Sequence, residues 1–154
     1  ERFEWFRQWY PLRAVDFLDV SRPHAVQLLG RELVLWNDGA AWRCYEDACP
    51  HRMAPLSEGR VERDGSLMCA YHAWRFAGPD GRCVDIPQSP PEVKQKHQSM
   101  PSACARSYPV NVAQGIIFVW PESGPAAEAA SAEQSPPLIP ELDDSELLAA
   151  GRCV

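Results

Sequence analysis

The chain lacks an apolar run long enough to span a membrane: its longest, Ile116-Ile117-Phe118-Val119-Trp120, falls far short of the roughly 18 residues required. It also lacks a surplus of positive charge. Fifteen Lys and Arg stand against 21 Asp and Glu, and the resulting net charge of −6 argues against a general nucleic-acid binder. No basic start followed by an apolar stretch and a small-residue cleavage site opens the chain, which begins at Glu1 rather than Met, so it reads as a processed or excised piece. Glycine is scarce beside proline, 9 against 15, and proline at that density leaves little room for long uninterrupted helices. What is present, 154 residues with 45% hydrophobic and 23% charged side chains, suits one soluble globular domain with a real core.

Short apolar groups separated by turn residues predict strands. Residues 25–29, 32–36 and 41–45 are broken by Gly30-Arg31 and Asn37-Asp38-Gly39, which gives three strands joined by tight turns. A second set follows at 60–62, 66–69 and 74–76, the last before the turn Gly78-Pro79-Asp80-Gly81. Residues 108–112 and 116–120 make one more pair, with Gly115 near its turn. Many short strands without regular intervening helices predict an all-β fold, an antiparallel sandwich or small barrel. The stretch 88–102, with three prolines and two lysines, reads as a surface loop. From 121 to 137 the composition shifts to Pro, Ala, Glu and Ser, too poor in apolar surface to offset chain entropy, so it reads as a flexible linker. Residues 141–150 suit a short acidic helix. The expected division is therefore a folded domain over 1–120 and a linker or tail over 121–154.

Six cysteines and four histidines carry the chemical signal, because four of these ten residues fall into two short motifs. Cys49-Pro50-His51 and Cys69-Ala70-Tyr71-His72 together spell C-x-H-x17-C-x2-H. Thiolates and imidazoles suit either a structural Cys2His2 zinc or a Rieske [2Fe–2S] cluster. Classical zinc fingers pair Cys with Cys and His with His across each short spacer, whereas here each spacer joins one of each. In a Rieske centre two cysteines hold one iron and two histidines the other, and two mixed motifs on facing loops meet that need. Cys44, Cys83, Cys104 and Cys153 read as inert, buried thiols, and His24 and His97 as surface residues.

Through C-P-H-R and C-x-Y-H-x-W the chain resembles the Rieske domain of Rieske-type oxygenases. Gln8-Trp9-Tyr10-Pro11, the run from Cys49 through Gly59, Tyr71-His72-Ala73-Trp74-Arg75-Phe76 and Ile86-Pro87-Gln88 narrow the resemblance to the pheophorbide a oxygenase group. That group includes chlorophyllide a oxygenase and a chloroplast translocon-associated Rieske protein. The resemblance implies a Rieske fold with a two-loop cluster-binding subdomain and a [2Fe–2S] cluster on Cys49, His51, Cys69 and His72. It also implies a chloroplast location, reduced ferredoxin as electron donor, and a mononuclear iron oxygenase domain, absent from this chain, as acceptor, acting in chlorophyll breakdown. Two other readings stand beside it: a freestanding Rieske ferredoxin-type carrier, and a structural zinc-binding interaction module.

High-potential respiratory Rieske proteins tie their cluster loops with a disulfide, at positions held here by Ala54 and Tyr71. The expected potential is therefore at the lower, oxygenase-type end of the roughly −150 to +300 mV range, with packing by Met53, Leu56 and Trp74 in place of the staple. Arg52, Arg60, Arg63, Arg75 and Arg82 either form a basic collar that steers an acidic ferredoxin or pair with Glu58, Glu62, Asp64 and Asp80. Ala73 stands where the family usually has Gly. That glycine serves either a positive φ, which would strain Ala, or a close approach.

Overall fold

The computed structural model of the chain describes residues 2–151, so Cys153 lies outside the described residues. Eleven strands form three antiparallel sheets among them. The three-stranded sheet has the order β1-β11-β10, from β1 (Tyr10–Ala14), β10 (Val110–Ala113) and β11 (Ile116–Val119). The second has the order β2-β3-β4-β9, from β2 (His24–Leu28), β3 (Arg31–Asn37), β4 (Trp42–Glu46) and β9 (Ser107–Tyr108). The third runs β5-β6-β7-β8, from β5 (Arg60–Val61), β6 (Leu67–Met68), β7 (Arg75–Ala77) and β8 (Arg82–Asp85). The expected all-β fold of short antiparallel strands is what the chain adopts. Strand β1 carries no turn signals in the sequence and is formed by pairing with the far-off β11.

The continuous apolar run of β3 has a simple cause. Side chains alternate across a strand, and β3 is covered on both faces. Leu33 and Leu35 enter one core with Val26, Leu28, Trp42, Cys44, Tyr108, Ile117 and Val119, which joins the first two sheets. Val34 and Trp36 enter another with Tyr45, Leu56, Leu67 and Phe76, which joins the second sheet to the third. Strand β11 divides in the same way: Ile117 and Val119 face the first of these cores, while Phe118 joins Trp9 and Trp120 in a third.

That third core corrects the reading of 121–137 as a flexible linker. Pro125–Ala132 is a helix, α2, with Pro at its first turn and Gly124 at φ +92° before it. Ala127, Ala130 and Ser131, at i, i+3 and i+4, are buried on one face, where both alanines pack with Trp9, Phe118 and Trp120. Trp9 Nε1 donates to Gln134 O at 2.8 Å and pins the segment beyond the helix. Alanine offers little area by itself, but it lets a helix approach closely, and the tryptophans supply the apolar surface. The stretch 88–102 likewise holds a helix, α1 (Pro91–Gln98), held by Lys94 Nζ against Asp85 Oδ1 at 2.5 Å. The acidic segment forms a 3-10 turn and a short helix, α2 being followed by α3 (Ser145–Ala149), capped by the Asp144 carboxylate.

Candidate metal centre

The two motifs occupy two loops of one design. In the first, Cys49 N donates to Ala54 O at 2.8 Å and Met53 N to Cys49 O at 2.7 Å. In the second, Cys69 N donates to Trp74 O at 2.8 Å and Ala73 N to Cys69 O at 3.1 Å. Each loop closes with a left-handed residue at the same place, Met53 at φ +59° and Ala73 at φ +58°. The departure at Ala73 is therefore one of backbone angle.

The third sheet carries the second loop at the tip of β6 and β7, where Met68 pairs with Arg75. The first loop leaves β4 and is pinched at its base by Asp47, whose carboxylate accepts from Ser57 N at 2.7 Å and Ser57 Oγ at 2.6 Å. Gly59 lets the returning chain press on β6, since a Cβ there would lie 1.9 Å from Met68 O. Leu56, fully buried, anchors the same return.

This scaffold sorts the donors by depth. Cys49 and Cys69 are buried, and their thiols lie close enough to influence each other. His51 is exposed and His72 half-buried, with ring centroids 4.7 Å apart. Among the described residues no three Cys, His, Asp or Glu side chains converge on a single-ion position, and the four donors divide into an inner thiol pair and an outer imidazole pair. Desolvation pushes the Cys49 thiol up to about 12, against the pull of the His51 and Arg52 backbone N–H groups directed at its sulfur. Desolvation, then the neighbouring His72 and Arg52, lowers the His51 pKa and favours the neutral imidazole that ligates metals. His72 Nδ1 is buried without a hydrogen-bond partner, a lone nitrogen that metal ligation would satisfy. The donor set, its two-and-two division and this orphaned nitrogen all fit a Rieske [2Fe–2S] cluster.

The remaining candidates lie elsewhere. Cys44 is buried in the core between the first two sheets, Cys83 is buried on β8, and Cys104 is half-buried. His24 Nε2 contacts Asp19 O at 2.7 Å, and His97 Nδ1 contacts Ser89 Oγ at 3.0 Å. The arginines split. Arg75 bridges Asp64 and Asp85, both at 3.3 Å, Arg60 pairs with Glu62 at 2.5 Å and Arg82 with Asp80 at 3.4 Å. Arg52 and Arg63, both exposed, have no ion-pair partner among the described residues. Sequence reasoning assigned Trp74 to loop packing and missed its contact with a candidate ligand: its ring lies 4.7 Å from His51 at an interplanar angle of 5°. The W of C-x2-H-x-W was the available signal.

Comparison with known proteins agrees with this geometry. Residues 8–109 match the Rieske [2Fe-2S] domain family. Pheophorbide a oxygenase, chloroplastic, of Oryza sativa subsp. japonica is 46% identical over 147 residues, covering 94% of this chain and 27% of the relative. Protochlorophyllide-dependent translocon component 52, chloroplastic, of Arabidopsis thaliana is 41% identical over 146 residues, covering 94% of this chain and 26% of the relative. Among solved structures, apo dicamba monooxygenase superposes with a TM-score of 0.75 at 28% identity, over 92% of this chain and 40% of that one. The chain thus spans about a quarter of the length of the curated relatives it matches, and those relatives are chloroplast proteins. Two-thirds of the sequence and both Cys/His motifs lie within the matched region, and the chain belongs to the Rieske [2Fe-2S] domain family.

Proposed function

We propose that Cys49, His51, Cys69 and His72 hold a Rieske [2Fe–2S] cluster and that the chain relays single electrons through it toward a mononuclear non-haem iron oxygenase site. The observation that carries this reading is the pairing of buried thiols beneath paired imidazoles on two matching loops. The cluster supplies a one-electron couple whose potential is raised, relative to all-cysteine clusters, by its neutral histidine ligands.

The protein's own residues determine how that couple is reached. Cys49 and Cys69 sit deep, so water and small oxidants are kept from the sulfurs. The N–H groups of His51 and Arg52 favour the Cys49 thiolate that ligation requires. His51 and His72 form the outward side, flanked by exposed Met53 and Tyr71, and this apolar rim lets a partner approach the imidazoles closely. The unpaired Arg52 beside His51 attracts an acidic donor, for which reduced ferredoxin is the proposed identity. A chloroplast oxygenase of the pheophorbide a oxygenase type, acting in chlorophyll breakdown, is the proposed context.

Iron, zinc and acid-labile sulfide per chain, with visible and EPR spectra before and after dithionite, test the reading. Two irons, two sulfides and a reducible chromophore with the low average g value of Rieske centres are expected. One zinc without sulfide would replace the redox reading with a structural one.

A further inference from the structure

We infer that Trp74 is a positioning residue for His51: its indole, stacked flat on the imidazole from the opposite loop, fixes the ring plane in which His51 meets the metal. The inference rests on the cluster reading above and assigns a residue outside the four donors. Ligating histidines usually owe their orientation to a hydrogen bond from the second ring nitrogen to a carboxylate, carbonyl or water. Within this chain the His51 ring has no such bond, and among the described residues its ring contacts are Trp74, face to face at 4.7 Å and 5°, and His72 at 4.7 Å and 69°. An exposed imidazole with two free torsions and no hydrogen bond needs some other restraint.

Trp74 is itself held firmly enough to serve. Its carbonyl accepts the Cys69 N–H at 2.8 Å, Ala73 at φ +58° turns the chain immediately before it, and its ring packs against the core that contains Phe76, 6.5 Å away. The stack therefore runs from a rigid part of the second loop to the free side chain of the first. It ties the two loops together on the imidazole side of the site, without any covalent link.

The test uses the cluster-loaded full chain with 15N-labelled histidine, comparing Trp74→Leu, Trp74→Phe and Phe17→Ala with the unaltered protein. Pulsed EPR of the reduced form reads the two histidine nitrogen couplings separately, and a ferrous chelator reads cluster loss. In W74L two irons and two sulfides remain, one of the two couplings spreads into a distribution while the other stays sharp, and iron is lost about three- to tenfold faster. W74F restores the sharp coupling because it keeps a flat ring, and F17A, which alters an exposed side chain of the 3-10 turn after β1, changes neither readout. Both couplings as sharp in W74L as in the unaltered protein, with unchanged iron release, would overturn the inference. Should W74L not accumulate as folded protein, W74F and Trp74→Met carry the comparison, and equal couplings in those two would overturn it. Unaltered protein without acid-labile sulfide would remove the cluster reading itself, a separate result.

Discussion

Ala73→Gly should stabilise this protein, against the usual penalty for glycine. Ala73 sits at φ +58°, a conformation that costs an L-residue roughly 1–2 kcal/mol and glycine almost nothing. Glycine gives back about 0.4–1 kcal/mol through the greater freedom of the unfolded chain. The balance is a gain of about 0.5–1 kcal/mol, and for a chain of 154 residues that corresponds to a Tm rise of about 1–4 °C. Ala73→Val moves the other way, because a β-branched residue is a true outlier in the left-handed region. Identically prepared proteins, followed by circular dichroism on heating and by urea titration, give the comparison. A73G melting at or below the unaltered protein, with A73V unchanged, would refute the argument that backbone angle is what the family's usual glycine serves here. Met53→Gly, at φ +59° in the matching loop, is the internal check and should raise Tm by a similar amount.

Exchanging Arg52 and Arg63 together for Gln should slow reduction by an acidic ferredoxin and flatten its salt dependence, because both are exposed and unpaired. Arg75→Gln should leave that salt dependence alone and cost about 0.5–1 kcal/mol of stability, since Arg75 is spent on Asp64 and Asp85; stopped-flow reduction and urea midpoints distinguish the two. Burial pushes the Cys44 thiol well above its ordinary value and the Cys83 thiol from 9.0 up to about 11. The folded state therefore holds protons that the unfolded chain releases, so stability is full below about pH 9 and falls as pH rises toward 11. Urea midpoints between pH 8 and 10.5 should decline, less steeply in Cys83→Ser, and a flat profile would contradict the burial argument. Ala127→Asp should cost about 2–4 kcal/mol by placing a carboxylate against Trp120 and its neighbours; an unchanged melting temperature would return 121–137 to the status of a linker.

The strands were legible where the signal was local. Gly30-Arg31 and Asn37-Asp38-Gly39 mark the turns of β2–β3–β4, and the observed strands lie within a residue or so of the expected ones. Strand β1 was not legible, because Tyr10–Ala14 is a strand only by virtue of β11, a hundred residues on. The 121–137 stretch misled for the same reason: its burial depends on Trp9 and Trp120, which its own composition does not reveal. The collar arginines could not be sorted from sequence either, since whether Arg75 or Arg52 is neutralised depends on which carboxylates the sheet brings near.

Donor chemistry belongs to the sequence. Two Cys and two His in two mixed motifs narrow the metal to very few choices, because softness and spacing are properties of residues along the chain. Depth, pairing and orientation belong to the tertiary structure. The loops' shared hydrogen bonds bury the thiols and leave the imidazoles outward, Gly59 permits the close approach of one loop to the other, and the αL turn at Ala73 precedes the Trp74 ring that stacks on His51. The press of Gly59 on Met68 and the stack of Trp74 on His51 join different segments through space, and spacing along the chain carries no record of the distance or angle at which they meet.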